Sequence, residues 1–372
     1  MSDHSMTSGG DPIVDAVYER VRSHDFHPLD ERNFTIDREL GEDGIADLDD
    51  ADWLVRLLAV RDLVRVGEAA IEQLIAGLSD DDLHIRYISA KVLGVLDATE
   101  AIESLEVVAR SDPYSVNRSE AVIAIGRLGA EEAVETLQEI EETDDSKDVR
   151  HQAELALDRI EKGLTVEPAL KEAYHDLDPD GFEQLTVGER APSFSLPDTD
   201  DQVWDLDDHI GGDDWTVLVW VFADWCPVCH REFDELLELR EEIEQANITL
   251  ATVECHDMYQ SRVMVGRELE PEYWFSEESF AQQYRDRIWW PHLVDRAGIV
   301  GSTYGVDPLA YSVHSEYINR PAAIVIDPDG IVRFAYYGTF WGDRPSIEDL
   351  LEMVQEETFE FEHPDRLVPP TD

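Results

Sequence analysis

Cysteines and long apolar runs are scarce in this 372-residue chain. Its three cysteines are too few for a disulfide framework or for a zinc site with four cysteine ligands. No apolar run approaches the roughly 18 residues that a membrane-spanning helix needs. The N-terminal stretch lacks both the basic and the apolar segment of a secretory signal peptide. We therefore expect a cytoplasmic protein with no membrane partner.

Basic residues are also few. The chain has 29 Lys plus Arg against 85 Asp plus Glu, a formal net charge of −56, and only four of the basic residues are lysines. Nucleic acid and anionic membranes are not expected as partners, because both require basic patches. Such self-repulsion is screened in molar salt, where the Debye length is about 3 Å. The composition resembles that of proteins from salt-accumulating halophiles, and it predicts a halophilic protein.

Cys226 and Cys229 form a Cys-x-x-Cys motif between a predicted strand and a predicted helix. The apolar run 216–223 indicates a buried strand, and Phe233 and Leu236 follow at helical spacing. Cα atoms three positions apart on a helix lie about 5–6 Å from each other, which a disulfide permits. The positive end of the helix favours the thiolate of the leading thiol, Cys226. In a reducing cytosol, such a pair is more typical of redox chemistry than of a structural disulfide.

Two other uses of this motif are disfavoured. Zinc would need a second pair of ligands, and Cys255 is the only further cysteine. With His230 the motif also spells the attachment signature of c-type haem, but haem attachment usually follows export. We therefore expect no external cofactor. Cys255 is interpreted as a small buried residue, with a resolving or regulatory role left open.

The N-terminal half contains an internal repeat. Arginines recur at a spacing of 30–32 residues, at Arg56, Arg86, Arg118 and Arg150, each beside Asp-rich breaks. Paired helices at this period are typical of an α-solenoid. The pattern is similar to the short HEAT-like repeats of phycobilin-lyase relatives, from which we carry over only the fold. The arginines predict ion pairs inside the solenoid, and we expect the array to dock protein partners.

The C-terminal half resembles the redoxin superfamily, which includes TlpA-like thiol–disulfide oxidoreductases and AhpC/TSA peroxiredoxins. The segments that carry this resemblance, over about residues 185–358, are 187–197, 215–232, 291–298, 304–306 and 320–330. The resemblance implies a thioredoxin fold and thiol–disulfide exchange. It assigns Cys226 as the nucleophile and Cys229 as the resolving thiol, which together form the redox disulfide. Clients, and a thioredoxin-type electron donor or acceptor, would be the partners in cell redox homeostasis.

The same resemblance suggests further site residues. Trp225 would flank an exposed sulfur, with Pro227 as a substrate contact. Pro321 would be a cis-proline facing the cysteines, which would place the Arg320 backbone in line to pair with an extended substrate. Glu254 would be a part-buried carboxylate with a raised pKa that moves the proton of the second thiol.

A peroxidase is the main alternative. Cys229 and Glu232 fit the Cys-x-x-Glu spacing of peroxiredoxins, which would make Cys229 the peroxide-reactive thiol. However, Phe222 and Cys226 occupy the positions of the Pro and Thr/Ser that build the peroxiredoxin pocket. Thiol–disulfide exchange is therefore preferred. A scaffold whose redox pair gates binding without turnover is a third interpretation.

The predicted fold class is α plus α/β, with a solenoid of HEAT-like repeats followed by a thioredoxin-fold domain. The expected boundaries are an N-terminal tail with one capping helix (1–50), the repeats (51–163), a linker (164–185), the redoxin domain (186–360) and a C-terminal tail (361–372).

Overall fold

The computed structural model describes residues 10–26, 52–268, 280–338 and 342–363. These residues form two compact units. The first unit contains the described residues up to Asp176 together with Ser312–Glu316, and the second contains the others. Most of both predicted tails, including residues 27–50, lies outside the described residues.

The described part of the first unit contains nine α-helices. They are α1 (Pro12–Ser23), α2 (Asp52–Val66), α3 (Ile71–Gly77), α4 (Leu83–Val95), α5 (Ile102–Ser111), α6 (Ser115–Arg127), α7 (Val134–Thr143), α8 (Lys147–Glu161) and α9 (Pro168–Asp176). Helix α1 begins as the sequence predicts, because the Asp11 carboxylate accepts the Ile13 amide and Pro12 occupies the first turn. Helices α2, α4, α6 and α8 pack in sequence as the corresponding helices of successive repeats.

Glycine allows these repeated helices to approach closely. A Cβ atom on Gly94 of α4 would lie 2.9 Å from the Cα of Ala124 in α6. A Cβ on Gly126, one repeat later, would lie at the same distance from the Cα of Ala156 in α8. Real Cβ atoms do not tolerate such contacts with backbone. The 32-residue period therefore recurs in the packing as well as in the sequence.

The repeat arginines bind the aspartates of the following inter-helix turn. Arg86 Nε lies 2.6 Å from Asp112 Oδ2, and Arg118 Nε lies 2.9 Å from Asp144 Oδ2. Arg86 and Arg118 also donate to backbone carbonyls at the turn before their own helices. For these two arginines, the predicted ion pairs inside the solenoid are confirmed.

We expect Arg118→Gln to lower the free energy of unfolding of the helical unit by about 3 kcal/mol, because it leaves the nearly buried Asp144 carboxylate without its cation. Arg110→Gln is the matched control, since the Arg110–Glu139 pair is largely exposed and is worth under about 1 kcal/mol. Urea titration in molar potassium chloride, followed by far-ultraviolet circular dichroism, measures both variants. Equal losses in the two would contradict the proposed role of the buried pair.

The predicted linker over 164–185 is wrong for its first half. Residues Pro168–Asp176 form α9, in which Leu170 and Tyr174 lie four positions apart on one face and are both buried. Helix α9 packs on α2, where Arg65 Nε donates to the His175 carbonyl at 2.7 Å. Residues up to Asp176 therefore belong to the helical unit.

The second unit is built on a five-stranded mixed sheet. The described strands of the chain are β1 (Ser195–Pro197), β2 (Val203–Asp205), β3 (Trp215–Trp220), β4 (Ile248–Glu254), β5 (His292–Val294), β6 (Tyr311–Val313), β7 (Glu316–Ile318), β8 (Ala322–Ile326) and β9 (Val332–Tyr337). The order in the five-stranded sheet is β5-β4-β3-β8-β9. Strands β3, β4 and β5 are parallel, while β8 and β9 run antiparallel to their neighbours.

Helices flank this sheet. They are α10 (Pro227–Glu238), α11 (Arg240–Gln245), α12 (Met258–Met264), α13 (Phe280–Tyr284), α14 (Ile299–Thr303) and α15 (Ile347–Glu356). The predicted buried strand is β3, which lies at the centre of the sheet and leads into α10. The fold is therefore a helical repeat region followed by a mixed-sheet, thioredoxin-like domain. Among the described helices, none is long and apolar enough to cross a membrane.

Candidate active site

Cys226 and Cys229 meet at the start of α10. Cys226 is the N-cap residue, and its sulfur accepts the amide of Cys229 at 3.3 Å. Pro227 occupies the first helical position, where its fixed φ favours the helix and its missing N–H costs nothing. Both cysteines are free, and their Sγ atoms lie 2.6 Å apart. The chain thus brings the predicted redox pair into contact.

A guanidinium group lies against the second cysteine. Arg344 Nη2 is 3.2 Å from Cys229 Sγ. The same guanidinium forms a two-pronged ion pair with Glu232, with Nε–Oε1 at 2.6 Å and Nη2–Oε2 at 2.5 Å. Its carbon also lies 5.3 Å from the centre of the Phe222 ring. All of these groups are buried, so the charges interact at low dielectric.

The two thiols differ in acidity. Burial raises the pKa of Cys226 well above its ordinary value. Burial also acts to raise the pKa of Cys229, but the Cys226 thiol and the Arg344 guanidinium bring it below its ordinary value. This order is the reverse of the prediction that Cys226 is the more acidic thiol. The contact with the Cys226 thiol and the full positive charge of Arg344 favour the Cys229 thiolate, and together they outweigh the partial charge of the helix N-terminus near Cys226.

Arg344 is a site residue that the sequence pattern did not predict. It lies 115 positions after Cys229 and follows no recognisable motif of its own. The available signal was Glu232, which the Cys-x-x-Glu spacing puts one helical turn from Cys229. A carboxylate buried there requires a cation, but the sequence does not show which arginine supplies it.

The expected exposed sulfur is absent from this structure. Cys226 and Cys229 are each 0% exposed, and Trp225 is 3% exposed. The prediction that Trp225 flanks an exposed sulfur is therefore wrong. Pro227 is exposed next to this buried pair.

Pro321 and Arg320 also differ from the prediction. The Arg320–Pro321 peptide bond is trans, the form favoured by about 0.5–1 kcal/mol before proline. The Arg320 amide donates to the Asp307 carbonyl, and Asn319 Nδ2 donates to the Arg320 carbonyl, each at 3.0 Å. The Arg320 backbone is therefore engaged within the domain and does not present a free edge for a substrate strand.

Glu254 ends β4, as predicted, but its acidity does not match the prediction. Its carboxylate accepts hydrogen bonds from His256 at 2.8 Å and from His292 at 2.9 Å. Burial acts to raise the pKa of Glu254, but the two histidines bring it below its ordinary value. Glu254 is therefore a stabilised carboxylate, and the prediction of a raised pKa is wrong.

His230 is bonded on both ring nitrogens. Its Nε2 faces the Asp224 carbonyl at 2.5 Å, and its Nδ1 faces the Tyr284 hydroxyl at 2.9 Å. Burial lowers the pKa of His230 to about 4, so the ring is neutral at pH 7. Because a carbonyl only accepts, Nε2 carries the proton and Tyr284 donates to Nδ1. The histidine of the haem-like motif therefore ties α10 to α13.

Cys255 directly follows β4 and is partly buried. Burial raises the pKa of its thiol well above the ordinary value, with the charge of Asp295 acting in the same direction. Within the described ranges, no group of three or more His, Cys, Asp or Glu side chains is arranged to hold a metal ion.

Comparison with known proteins assigns both halves. Residues 187–335 match the AhpC/TSA family, and residues 44–126 and 108–184 match HEAT repeats. No curated protein matches the chain.

Several solved peroxiredoxin structures are similar to the chain, each over 46% of its length and with a TM-score of 0.36. The reduced Plasmodium vivax 2-Cys peroxiredoxin is 18% identical over 81% of its own chain. The mitochondrial 2-Cys peroxiredoxin of Plasmodium falciparum is 15% identical over 94%, and peroxidoxin BcpB of Mycobacterium tuberculosis is 20% identical over 97%. From the family matches, the chain carries an AhpC/TSA-type redoxin domain with a thioredoxin fold, preceded by HEAT repeats.

Proposed function

We propose that this chain is a thiol oxidoreductase that reduces small hydroperoxides, with Cys229 as the attacking thiolate and Cys226 as the resolving thiol. The contact between Arg344 and the Cys229 sulfur is the observation that carries this proposal. It reverses the preference of the sequence analysis, which placed the nucleophile at Cys226.

Burial favours a small oxidant. A protein disulfide must approach the attacking sulfur along the S–S axis, which requires an exposed thiol. Neither sulfur of the pair has exposed surface, whereas a peroxide of two or a few heavy atoms needs only a small opening. The match of residues 187–335 to the AhpC/TSA family agrees with this choice.

Cys226 can replace the Thr or Ser hydroxyl of the peroxiredoxin pocket. Cys226 stands where peroxiredoxins have Thr or Ser, and its sulfur lies 2.6 Å from the Cys229 sulfur. Once Cys229 is a thiolate, the Cys226 thiol is the member of the pair that still has a proton to donate. One side chain can then support the Cys229 thiolate and later resolve the oxidised form. Arg344 contributes its charge to the same thiolate.

The chemistry proceeds in two balanced steps. The Cys229 thiolate attacks one peroxide oxygen, the O–O bond breaks, and the leaving oxygen takes a proton to become water or an alcohol. Cys229 is then a sulfenic acid. The Cys226 sulfur attacks it, an S–S bond forms, and the hydroxyl leaves with the Cys226 proton as water. Two electrons from a thioredoxin-type dithiol restore both thiols, a step that requires the oxidised form to expose a sulfur that the reduced form buries.

The HEAT repeats give this enzyme a second proposed function, the docking of a protein partner. Solenoids of this type present extended surfaces to other proteins. The partner would be a client or the dithiol electron donor.

Thiol–disulfide exchange led by Cys226 is the second candidate. It is favoured by the position of Cys226 at the N-cap of α10, next to the exposed Pro227. In that mechanism Cys229→Ser traps a mixed disulfide through Cys226, and Cys226→Ser is inactive.

The two single variants separate these mechanisms. With one equivalent of hydrogen peroxide, we expect Cys226→Ser to accumulate sulfenic acid at Cys229 within seconds. In Cys229→Ser, we expect the remaining thiols, Cys226 and Cys255, to be oxidised no faster in the folded protein than in the unfolded chain. Residue-specific mass spectrometry after sulfenic acid labelling measures both. Slow, unselective oxidation of Cys226→Ser, with mixed disulfides trapped by Cys229→Ser, would instead establish the exchange mechanism.

A further inference from the structure

Arg344 reaches Cys229 from a segment that is fastened at several points. This segment, residues 342–346, leads into α15, whose N-cap Ser346 forms a capping box with Asp349. The Ile347 amide donates to Glu235 of α10 at 2.9 Å. These contacts fix the helix that follows Arg344 against the helix that carries Cys229.

Asp343, the residue before Arg344, is hydrogen-bonded to β9. Asp343 has no exposed surface, and its Oδ1 accepts the Tyr336 hydroxyl at 2.5 Å. Tyr336 lies in β9, which pairs with β8 in the central sheet. The position of Asp343, and with it the Arg344 backbone, is thereby tied to the rigid part of the domain.

Gly338 allows the end of β9 to lie close to Asp343 and Pro321. A Cβ on Gly338 would overlap the Asp343 carbonyl oxygen and lie 2.5 Å from Cγ of Pro321. The Gly338 amide donates to the Pro321 carbonyl at 2.8 Å. Pro321, which the sequence suggested as a substrate-facing residue, thus anchors the chain next to Asp343.

We propose that Tyr336 and Asp343 are positioning residues, which hold the Arg344 guanidinium in contact with the Cys229 sulfur. This inference rests on the proposed role of Cys229. In this proposal Tyr336 and Asp343 act through Arg344 and do not themselves contact the peroxide or the reacting sulfur. A guanidinium on a long side chain delivers its charge to one sulfur only if its backbone is fixed, because displacement by about 1 Å weakens such a contact.

The test uses Tyr336→Phe, which removes one hydroxyl and keeps the buried ring. Tyr337→Phe is the matched control, because the Tyr337 hydroxyl donates to the Tyr304 carbonyl at 2.6 Å and not to the Arg344 segment. Both are made in the Cys226→Ser background. The measurement is the rate of iodoacetamide alkylation of Cys229 from pH 5 to 10, followed by mass spectrometry of the peptide that contains Cys229. It reports the thiolate whether or not peroxide is a substrate.

We expect Tyr336→Phe to move the midpoint of the alkylation profile upwards by about one pH unit, which means about tenfold less thiolate below the midpoint. Asp343→Ala should do the same, and Tyr337→Phe should leave the midpoint in place. In an Arg344→Gln background, Tyr336→Phe should have no further effect, because its action passes through Arg344.

Two results would overturn the proposal. One is an unchanged midpoint in a folded Tyr336→Phe protein. The other is a shift of equal size with and without Arg344. If the midpoints behave as expected but Cys229 does not react with peroxide, the positioning role stands and the proposed peroxidase function fails.

Discussion

Replacing Arg344 with Gln should slow the oxidation of Cys229 by hydrogen peroxide about 100-fold, which corresponds to about 2.7 kcal/mol of lost stabilisation. Burial acts to raise the pKa of Cys229, and the Cys226 thiol and the Arg344 guanidinium together bring it below its ordinary value, so removal of Arg344 reduces the fraction of thiolate. The pH midpoint of the oxidation rate should accordingly move upwards. Stopped-flow measurement of the Cys226→Ser protein, with and without Arg344→Gln, gives both quantities.

The Arg344→Gln variant also leaves Glu232 buried without its cation, which destabilises the protein. The double variant Arg344→Gln, Glu232→Gln removes both charges and separates folding from reactivity. Arg333→Gln is the control, because Arg333 makes a comparable contact with Asp327 at 2.6 Å but is half exposed. An oxidation rate in the folded double variant within a factor of two of that of Cys226→Ser alone would show that Arg344 does not activate the thiol.

Lowering the salt concentration should unfold the chain almost completely. The formal net charge of −56 is distributed over 372 residues, with only 29 basic side chains to offset it. At low ionic strength the Debye length reaches about 30 Å, so carboxylates across a whole domain repel one another. At molar salt this repulsion is confined to contacting groups.

Circular dichroism at 222 nm, titrated with potassium chloride from about 0.01 M to 3 M, measures this dependence. The helical signal should rise cooperatively with salt. Sucrose at matched osmolality is the control, since it is excluded from protein surfaces but does not screen charge. A chain that is fully folded and unfolds cooperatively in low-salt buffer would refute the halophilic interpretation.

Local patterns predicted much of this architecture. The apolar run before Cys226 gave β3, helical spacing after Cys229 gave α10, and the 30–32-residue period gave the repeats. Each of these signals lies within one element or recurs along the chain. Helix α9 was missed because its apolar face has only Leu170 and Tyr174, too little periodicity to distinguish a short helix from a linker.

The acid–base properties of the site required the folded chain. Arg344 reaches Cys229 across 115 positions, and His292 reaches Glu254 across 38. His256 and His292 together lower the pKa of Glu254, and the Cys226 thiol and Arg344 together lower that of Cys229, in each case against the effect of burial. In each case one of the two groups is close in the sequence and the other is brought there by the fold.

Because both sulfurs are completely buried, the rate at which the site opens can limit the rate of their reactions. Because neither sulfur has exposed surface, a reagent can meet Cys229 only when the first turn of α10 and its surroundings open locally. On the proposed mechanism, bulky disulfides, which need a wide opening, would react more slowly than small oxidants. Burial would then act as a kinetic gate that selects oxidants by size and by the frequency of their encounters.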